Sequence, residues 1–437
     1  MGRVRMVVLG AVVAVMLVAV VVPSAAADGE HRHVDANFRA TGFFHTAFVG
    51  HRWWLVTPDG RPFYSIGLNH VGPTGNDTDR VTGVCPYCEA MAANYPSVEG
   101  WTNTTIQRLH AWGINTLGTF SDRDVFGPRM PYTSLLSMAG TDDWFSPEFA
   151  ARAESIAAAT VAAHRDDPNL IGWVTDTELR WGPDWRGASQ LLDDYLKLAP
   201  GSPGRLVADH FVGDPGRFLR ALAHRYFKVT TEAIHRQDRN HLILGVKQIT
   251  QLTPPEVLKA ARPYVDVFSV DDYQLTPGLD DAIRATWPMY LPHDANFSSI
   301  AAIVQRPVMV MEYSFRAADA GVPNSYPPIF PTHPDQAARA NAFDAYSARL
   351  YQTPWVVGDH WFEYVDEPAG GRFDGEDSNF GLVSVGDVPW ATLVNRMTAV
   401  HTLAPDRLFD RRPVCWSWRR DARGRVRCSD PAPGHRH

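Results

Sequence analysis

Two glutamates each close an apolar run. Glu178 ends Leu170-Ile171-Gly172-Trp173-Val174-Thr175-Asp176-Thr177-Glu178, and Glu312 ends Pro307-Val308-Met309-Val310-Met311-Glu312. Burying an unpaired carboxylate is costly, so an apolar strand that stops at one builds a poor core. The same arrangement serves well for aiming an acid at a ligand from the C-terminal rim of a parallel barrel. The chain between the two glutamates is long enough for about three strand–helix units, which suits strands that face across one mouth. Two carboxylates so placed form the apparatus of glycoside hydrolysis.

The elements that position them follow from alternating apolar and turn signals. Trp53-Trp54-Leu55-Val56-Thr57 runs into the turn Pro58-Asp59-Gly60-Arg61. The first buried strand is expected over Pro62–Asn69, the second over Ile114–Phe120 and the third over Tyr132–Met138. The fourth and seventh are the glutamate strands. His241–Gln248, Val265–Tyr273 and Val356–Glu363 supply the fifth, sixth and eighth. Helices are expected over Thr104–Trp112, Pro147–His164 behind the cap Ser146, Phe218–Arg236 and Asp335–Gln352. Eight strands alternating with helices make a (β/α)8 TIM barrel the economical architecture, with a short N-terminal β-hairpin ahead of it. No Gly-rich phosphate turn follows any strand, which disfavours a doubly wound nucleotide-binding sheet.

Polar and aromatic residues collect at the strand ends. Asn69, His70, Asp122, Asp176, Thr177, Gln248, Asp272, Tyr273, Tyr313, His360 and Glu363 are candidates for substrate contact. Tyr273 and Tyr313 are candidates for orienting Glu312. Taken singly, each reads equally as a hydrogen-bonded rim residue or a helix cap; their joint occurrence carries the inference. Trp181, Trp185, Trp287 and Trp361 offer flat faces for stacking on pyranose C–H groups, with Trp361 expected as the floor of the cleavage subsite. The acidic run Asp374-Gly375-Glu376-Asp377-Ser378-Asn379 matches no EF-hand spacing and reads as a solvated turn or a sugar-contacting loop. No metal and no cofactor is expected.

Four blocks together carry a family resemblance. They are Trp173 to Gly182, Met311 to Asn324, Trp54 to Phe63, and Gly358-Asp359-His360-Trp361-Phe362. The chain resembles the β-agarase-like glycoside hydrolases of clan A. That resemblance implies a retaining TIM-barrel enzyme in which Glu178 is the acid/base and Glu312 the nucleophile. The clan places asparagine before the acid/base, where its amide meets the sugar 2-hydroxyl; this chain has Thr177, whose hydroxyl makes fewer hydrogen bonds. Asp176 or a neighbouring strand is then the alternative source of that contact.

Bulk properties narrow the setting. Arg3 and Arg5, the apolar run Met6 to Val22, and Ala25-Ala26-Ala27 form a secretory leader over 1–27. Its length also leaves an uncleaved anchor open. Residues 28–48 are expected as a flank, 49–404 as the barrel and 405–437 as a hairpin with a loose tail. The net charge of −7, more negative once Arg3 and Arg5 are removed, argues against nucleic acid or an anionic membrane as partner. The four cysteines suit an exported chain. Cys415 and Cys428 flank a turn and are expected to close the C-terminal hairpin as a disulfide, while Cys85 and Cys88 read as a local structural disulfide.

The expected protein is an exported retaining glycosidase of a polysaccharide or oligosaccharide, with an agarose-like β-galactan suggested by the resemblance. A β-glucan, mannan or other polymer is the alternative substrate, and a non-catalytic carbohydrate-binding barrel the alternative class. Oligomeric state is not legible.

Overall fold

A computed structural model describes residues 38–74, 78–276, 296–409, 418–420 and 426–428. The leader, Trp287 and the proposed Cys415–Cys428 bond fall outside the described residues. Within them, β1 (His45–Val49), β2 (Arg52–Val56) and β3 (Pro62–Phe63) form a three-stranded antiparallel sheet. The expected barrel follows. Its strands are β4 (Ser65–Leu68), β5 (Thr116–Leu117), β6 (Tyr132–Leu135), β7 (Leu170–Thr177), β8 (Leu242–Ile249), β9 (Phe268–Asp271) and β10 (Val308–Tyr313). A short parallel pair, β11 (Arg316–Ala317) and β12 (Thr332–His333), intervenes before the eighth barrel strand, β13 (Val356–Trp361). β13 pairs with both β10 and β4, so the sheet closes. All eight barrel strands run parallel. β14 (Trp418–Arg420) and β15 (Val426–Cys428) form the expected C-terminal hairpin.

Two apolar layers hold the barrel. Ile171, Leu242, Leu244, Val267, Met309, Met311 and Val357 pack together, and Phe44 and Leu55 from the N-terminal sheet join this cluster. Other apolar residues of the strands, among them Trp173, Ile243, Phe268, Val308 and Val310, pack with the helices. Period-two alternation along each strand produces this division, and period-3.6 helix faces complete it. The helix over Pro215–Gln237 buries Phe218, Leu222, Tyr226, Phe227 and Ile234 in this way.

The helices start where side-chain caps meet free amides. Ser146 accepts from the Phe149 N–H, Asp214 from Arg217 and Asp335 from Ala338. The helix expected from Thr104 in fact begins at Val98, six residues earlier, because Ser97 accepts from the Gly100 N–H. The stretch between Thr177 and Pro215 carries two short helices, Leu191–Tyr195 and Pro203–Asp209. Cys85 and Cys88 are disulfide-bonded at the start of the helix Pro86–Asn94, as expected. Among the described residues, no helix is long and apolar enough to cross a membrane.

Candidate active site

The C-terminal mouth of the barrel opens into a cleft of about 630 Å³, lined by residues from every quarter of the rim. Backbone ladders run past the assigned strand ends and fix these residues. The Glu178 N–H donates to the Lys247 carbonyl at 2.8 Å, and the Asp272 N–H to the Glu312 carbonyl at 2.8 Å. Three cleft residues, His70, Phe120 and Glu178, sit just past β4, β5 and β7 at φ 59°, 64° and 48°. Non-glycine residues rarely adopt this left-handed region, and at functional sites the strain is borne by the surrounding structure.

Glu178 and Glu312 converge, joined by a third carboxylate, Asp271. One oxygen from each of the three lies within 4.8 Å of the others. Asp271 and Glu312 are register partners on β9 and β10. A register shift between Val310 and Glu312 re-aims the strand end, so that Met311 stays in the barrel core while Glu312 lines the cleft. Lys247 of β8 is fully buried beneath them. Its ammonium hydrogen-bonds Glu312 Oε1 and lies 3.7 Å from Asp271 Oδ2. The Tyr273 hydroxyl donates to the other oxygen of Glu312, at 3.1 Å.

The electrostatics separate the carboxylates. Burial, and then the charge of Glu312, push Glu178 up from 4.5 to about 7, against the opposing fields of Lys247 and Arg186. Burial pushes Asp271 well above the usual carboxylate range, although Lys247 opposes it. Burial alone lowers the Lys247 ammonium, but Asp271 and Glu312 outweigh that and hold it above its ordinary value. Near pH 7 this arrangement supplies a protonatable carboxyl at Glu178 facing a carboxylate gripped at both oxygens. The three oxygens are close enough together to hold a cation. Lys247 already places a positive charge against two of the three carboxylates, so a metal ion there meets direct repulsion.

A second charged group forms the wall above β13 and β4. Arg372 binds Asp374 at 3.0 Å and Glu376 at 2.5 Å, with Glu367 at 3.5 Å and Glu363 at 3.9 Å. Glu363 also pairs with His70 Nδ1. The acidic run 374–379 is therefore not a solvated turn. Asp374 and Glu376 line the cleft, while Asp377, Ser378 and Asn379 are buried and bonded to 324–326 and neighbouring segments. On the far side Ile249, Leu252, Leu275 and Tyr326 to Phe330 form an apolar wall, where Phe330 stacks on Tyr273 with centroids 4.8 Å apart.

Of the expected site residues, Glu178, Glu312, His70, Thr177, Tyr273 and Trp185 line this cleft. The others lie elsewhere, mostly because alternation turns them away. Asp176 accepts from the Ala139 N–H and the Tyr226 hydroxyl, on the helix side of β7, and cannot supply the sugar contact in place of Thr177. Asp272 accepts from the Tyr346 hydroxyl, and Tyr313 donates to Asp359, both toward the helix Gln336–Gln352. Only Tyr273 of the two tyrosines therefore reaches Glu312. Gln248 accepts from Trp181 Nε1, and both are buried outside the cleft. Trp361 is no floor. It packs on Phe315 and Phe343 and donates to the Phe380 carbonyl, while Phe362 takes the cleft position.

Asn69 is buried, donating to the Met311 carbonyl. His360, also buried, lies 2.9 Å from Ser65 Oγ, and burial pushes it down to about 3. Gly67 makes room for its ring, since a Cβ there would meet His360 Cδ2 at 2.2 Å. Glu363 stands behind His70 rather than in the cleft, and Asp122 is exposed at the start of the helix Arg123–Phe126.

Sequence reasoning missed Lys247, Asp271, Arg372, Phe120 and Phe362. Lys247 carried a usable signal: a charge inside Leu242-Ile243-Leu244-Gly245-Val246-Lys247 is as anomalous as Glu178 is in its own strand.

No protein-family model matches the chain. It is 23% identical over 471 residues to Beta-agarase B of Vibrio sp. (strain JT0107), taking in 82% of this chain and 47% of that protein. It is 25% identical over 452 residues to Beta-agarase A of the same organism, taking in 78% of this chain and 44% of that one. The chain thus spans about half the length of the curated relatives it matches. Its fold is similar to the crystal structure of an agarase, with a TM-score of 0.72 at 23% identity over 86% of this chain and 66% of that one. These relatives bear out the resemblance read from the sequence blocks: the chain is similar to agarases in sequence and in fold.

Proposed function

We propose that the protein is a retaining glycoside hydrolase of an agarose-like β-galactan. The observation that carries this reading is the convergence of Glu178 and Glu312, with oxygens within 4.8 Å, in one cleft. That spacing suits the retaining geometry, in which carboxyl groups stand roughly 5–5.5 Å apart; inverting pairs lie farther apart to admit a water. Glu312 attacks the anomeric carbon while Glu178 gives its proton to the departing oxygen. Water then attacks the glycosyl ester, Glu178 takes the proton, and the bonding pair returns to Glu312. The raised value of Glu178 suits it to carry the proton. Thr177, which lines the cleft next to Glu178 in sequence, is the candidate for contact with the sugar hydroxyl next to the anomeric carbon.

The substrate follows from the agarase relatives, whose names give the polymer that those proteins act on. The mouth supports a sugar chain. Trp185 and Phe373 stand half and mostly exposed at its edge, offering flat faces to pyranose rings. Residues 1–27 are proposed as a leader for export, consistent with a polymer substrate met outside the cell.

The test is a panel of agarose, β-glucan, mannan and aryl β-glycosides, with the parent beside Glu178→Gln and Glu312→Gln. Cleavage of agarose with retention at the new reducing end, followed by NMR and lost in both variants, is expected. Turnover of glucan or mannan alone moves the substrate. Sugar binding without turnover would make the barrel a binding module.

A further inference from the structure

Glu312 is held from two directions, and the stronger hold comes from inside the barrel. Lys247 lies on β8 after Gly245, whose φ of 70° breaks the alternation so that Leu244 and Lys247, three apart, both face inward. Its ammonium touches Glu312 Oε1, lies 3.7 Å from Asp271 and sits 4.8 Å over the Phe120 ring. The ionisable groups around Glu312 come from three strands: Glu178 beyond β7, Lys247 on β8, Asp271 on β9 and Tyr273 just past it. Among these, Lys247 is the cation that touches it.

We propose that Lys247 is a positioning residue for displacement at the anomeric carbon, fixing the Glu312 carboxylate in line with its target while Asp271 anchors the ammonium. The proposal rests on the reading of Glu312 as nucleophile. A carboxylate bonded at one oxygen by Lys247 and at the other by Tyr273 has a single orientation, which is what an in-line attack requires. When water breaks the glycosyl ester, the C–O bonding pair returns to a Glu312 oxygen beside this ammonium, which stabilises the charge as it forms. Burying a lysine without polar partners is strongly unfavourable, and Asp271, 3.7 Å from the ammonium, remains beside it in the covalent intermediate, when Glu312 is an uncharged ester.

The experiment compares Lys247→Gln, Lys247→Met and Lys247→Arg with the parent on a soluble aryl β-galactoside, following kcat/KM and the thermal midpoint. Gln and Met remove the charge at similar length, so one serves if the other fails to fold. Both are expected to lose on the order of a hundredfold in kcat/KM with the thermal midpoint little changed, because the Glu312 carboxylate is no longer held in line. Lys247→Arg keeps the charge and the donor and is expected to recover part of that loss. A folded Gln or Met variant with an unchanged rate overturns the proposal, as does a folded Arg variant that loses as much as Gln. If those results appear while Glu312→Gln is inactive, only the role of Lys247 falls. An active Glu312→Gln removes the nucleophile reading itself.

Discussion

Raising the pH through about 7 is expected to switch turnover off at Glu178. An unperturbed glutamate near 4.5 is only about 3% protonated at pH 6, whereas one held at about 7 is roughly 90% protonated there. Above about pH 7, kcat/KM should therefore fall close to tenfold per pH unit for a substrate whose leaving group needs the proton. The direction follows from which form works: the first chemical step uses protonated Glu178, so activity is lost on the alkaline side. Arg186 gives a second handle. Its guanidinium holds the Glu178 carbonyl at 2.5 Å, and its positive field lowers the Glu178 carboxyl. Arg186→Ala should move the alkaline limb upward, by only a few tenths of a unit because the guanidinium is partly exposed and screened. The assay is initial rate against pH from 4 to 9 at constant ionic strength, on an alkyl β-galactoside with a poor leaving group and on a nitrophenyl one. The limb should be steep for the first and shallow for the second. An alkaline limb below about pH 5.5, or one that moves down in Arg186→Ala, refutes the assignment of Glu178 as the acid. The same electrostatics serve the second step. Once Glu312 is an ester its charge is gone, and with it the second-largest cause of the raised value, so Glu178 ionises more readily and is available as the base when the mechanism needs one.

Two further outcomes are expected. Asp359, buried and bonded to the Tyr313 hydroxyl at 2.7 Å, is pushed by burial from 3.8 to about 6. Because the folded value lies above the unfolded one, its stabilising contribution is whole below about pH 4 and is lost as pH rises to about 6, by at most on the order of 3 kcal/mol. Asp359→Asn should flatten that decline, read as urea midpoints at pH 4 and 7. Trp185→Ala and Phe373→Ala should raise KM on the polymer by a few-fold to about tenfold, with kcat and aryl-glycoside kinetics unchanged, if these exposed faces stack on sugar outside the cleavage subsite.

The barrel was legible because its signal is repeated eight times. Each strand is a buried apolar run bounded by helix caps or turn residues, and errors at single boundaries do not disturb the count. Thus β5 covers only Thr116–Leu117 of the expected Ile114–Phe120, and β9 only Phe268–Asp271 of Val265–Tyr273, yet the closure is unchanged. The helix before β5 was foreshortened because Asn103, Thr104 and Thr105 weaken its apolar period. Its true start, set by Ser97, lies in a polar stretch with no periodicity to announce it. The paired arrangement of Arg372 with its carboxylates was illegible for another reason: it is assembled by a long loop after β13, and no period governs a loop.

At the rim, a list of polar strand-end residues takes in both faces of each strand, whereas only one face looks into the mouth. Simple alternation already divides Asp271 and Tyr273 from Asp272. It does not by itself choose Lys247 over Gln248, or Glu312 over Met311. Those choices are made by the glycine kink at Gly245 and by the register shift before Glu312, each of which adds one residue to the strand and exchanges its faces. Both irregularities occur at the very strands that bring an ammonium and a carboxylate together. Without the shift at β10, Met311 or Tyr313 would take the place of Glu312. Without the kink at β8, Gln248 would stand where Lys247 does. The charges that look most out of place in their strands, Glu178, Lys247 and Glu312, are the ones the irregular backbone turns toward each other, so each offsets the burial of another. An isolated charge in an apolar strand is therefore a better guide to this mouth than polarity at a strand end. Applied to β8 in the sequence, that criterion selects Lys247 and passes over Gln248.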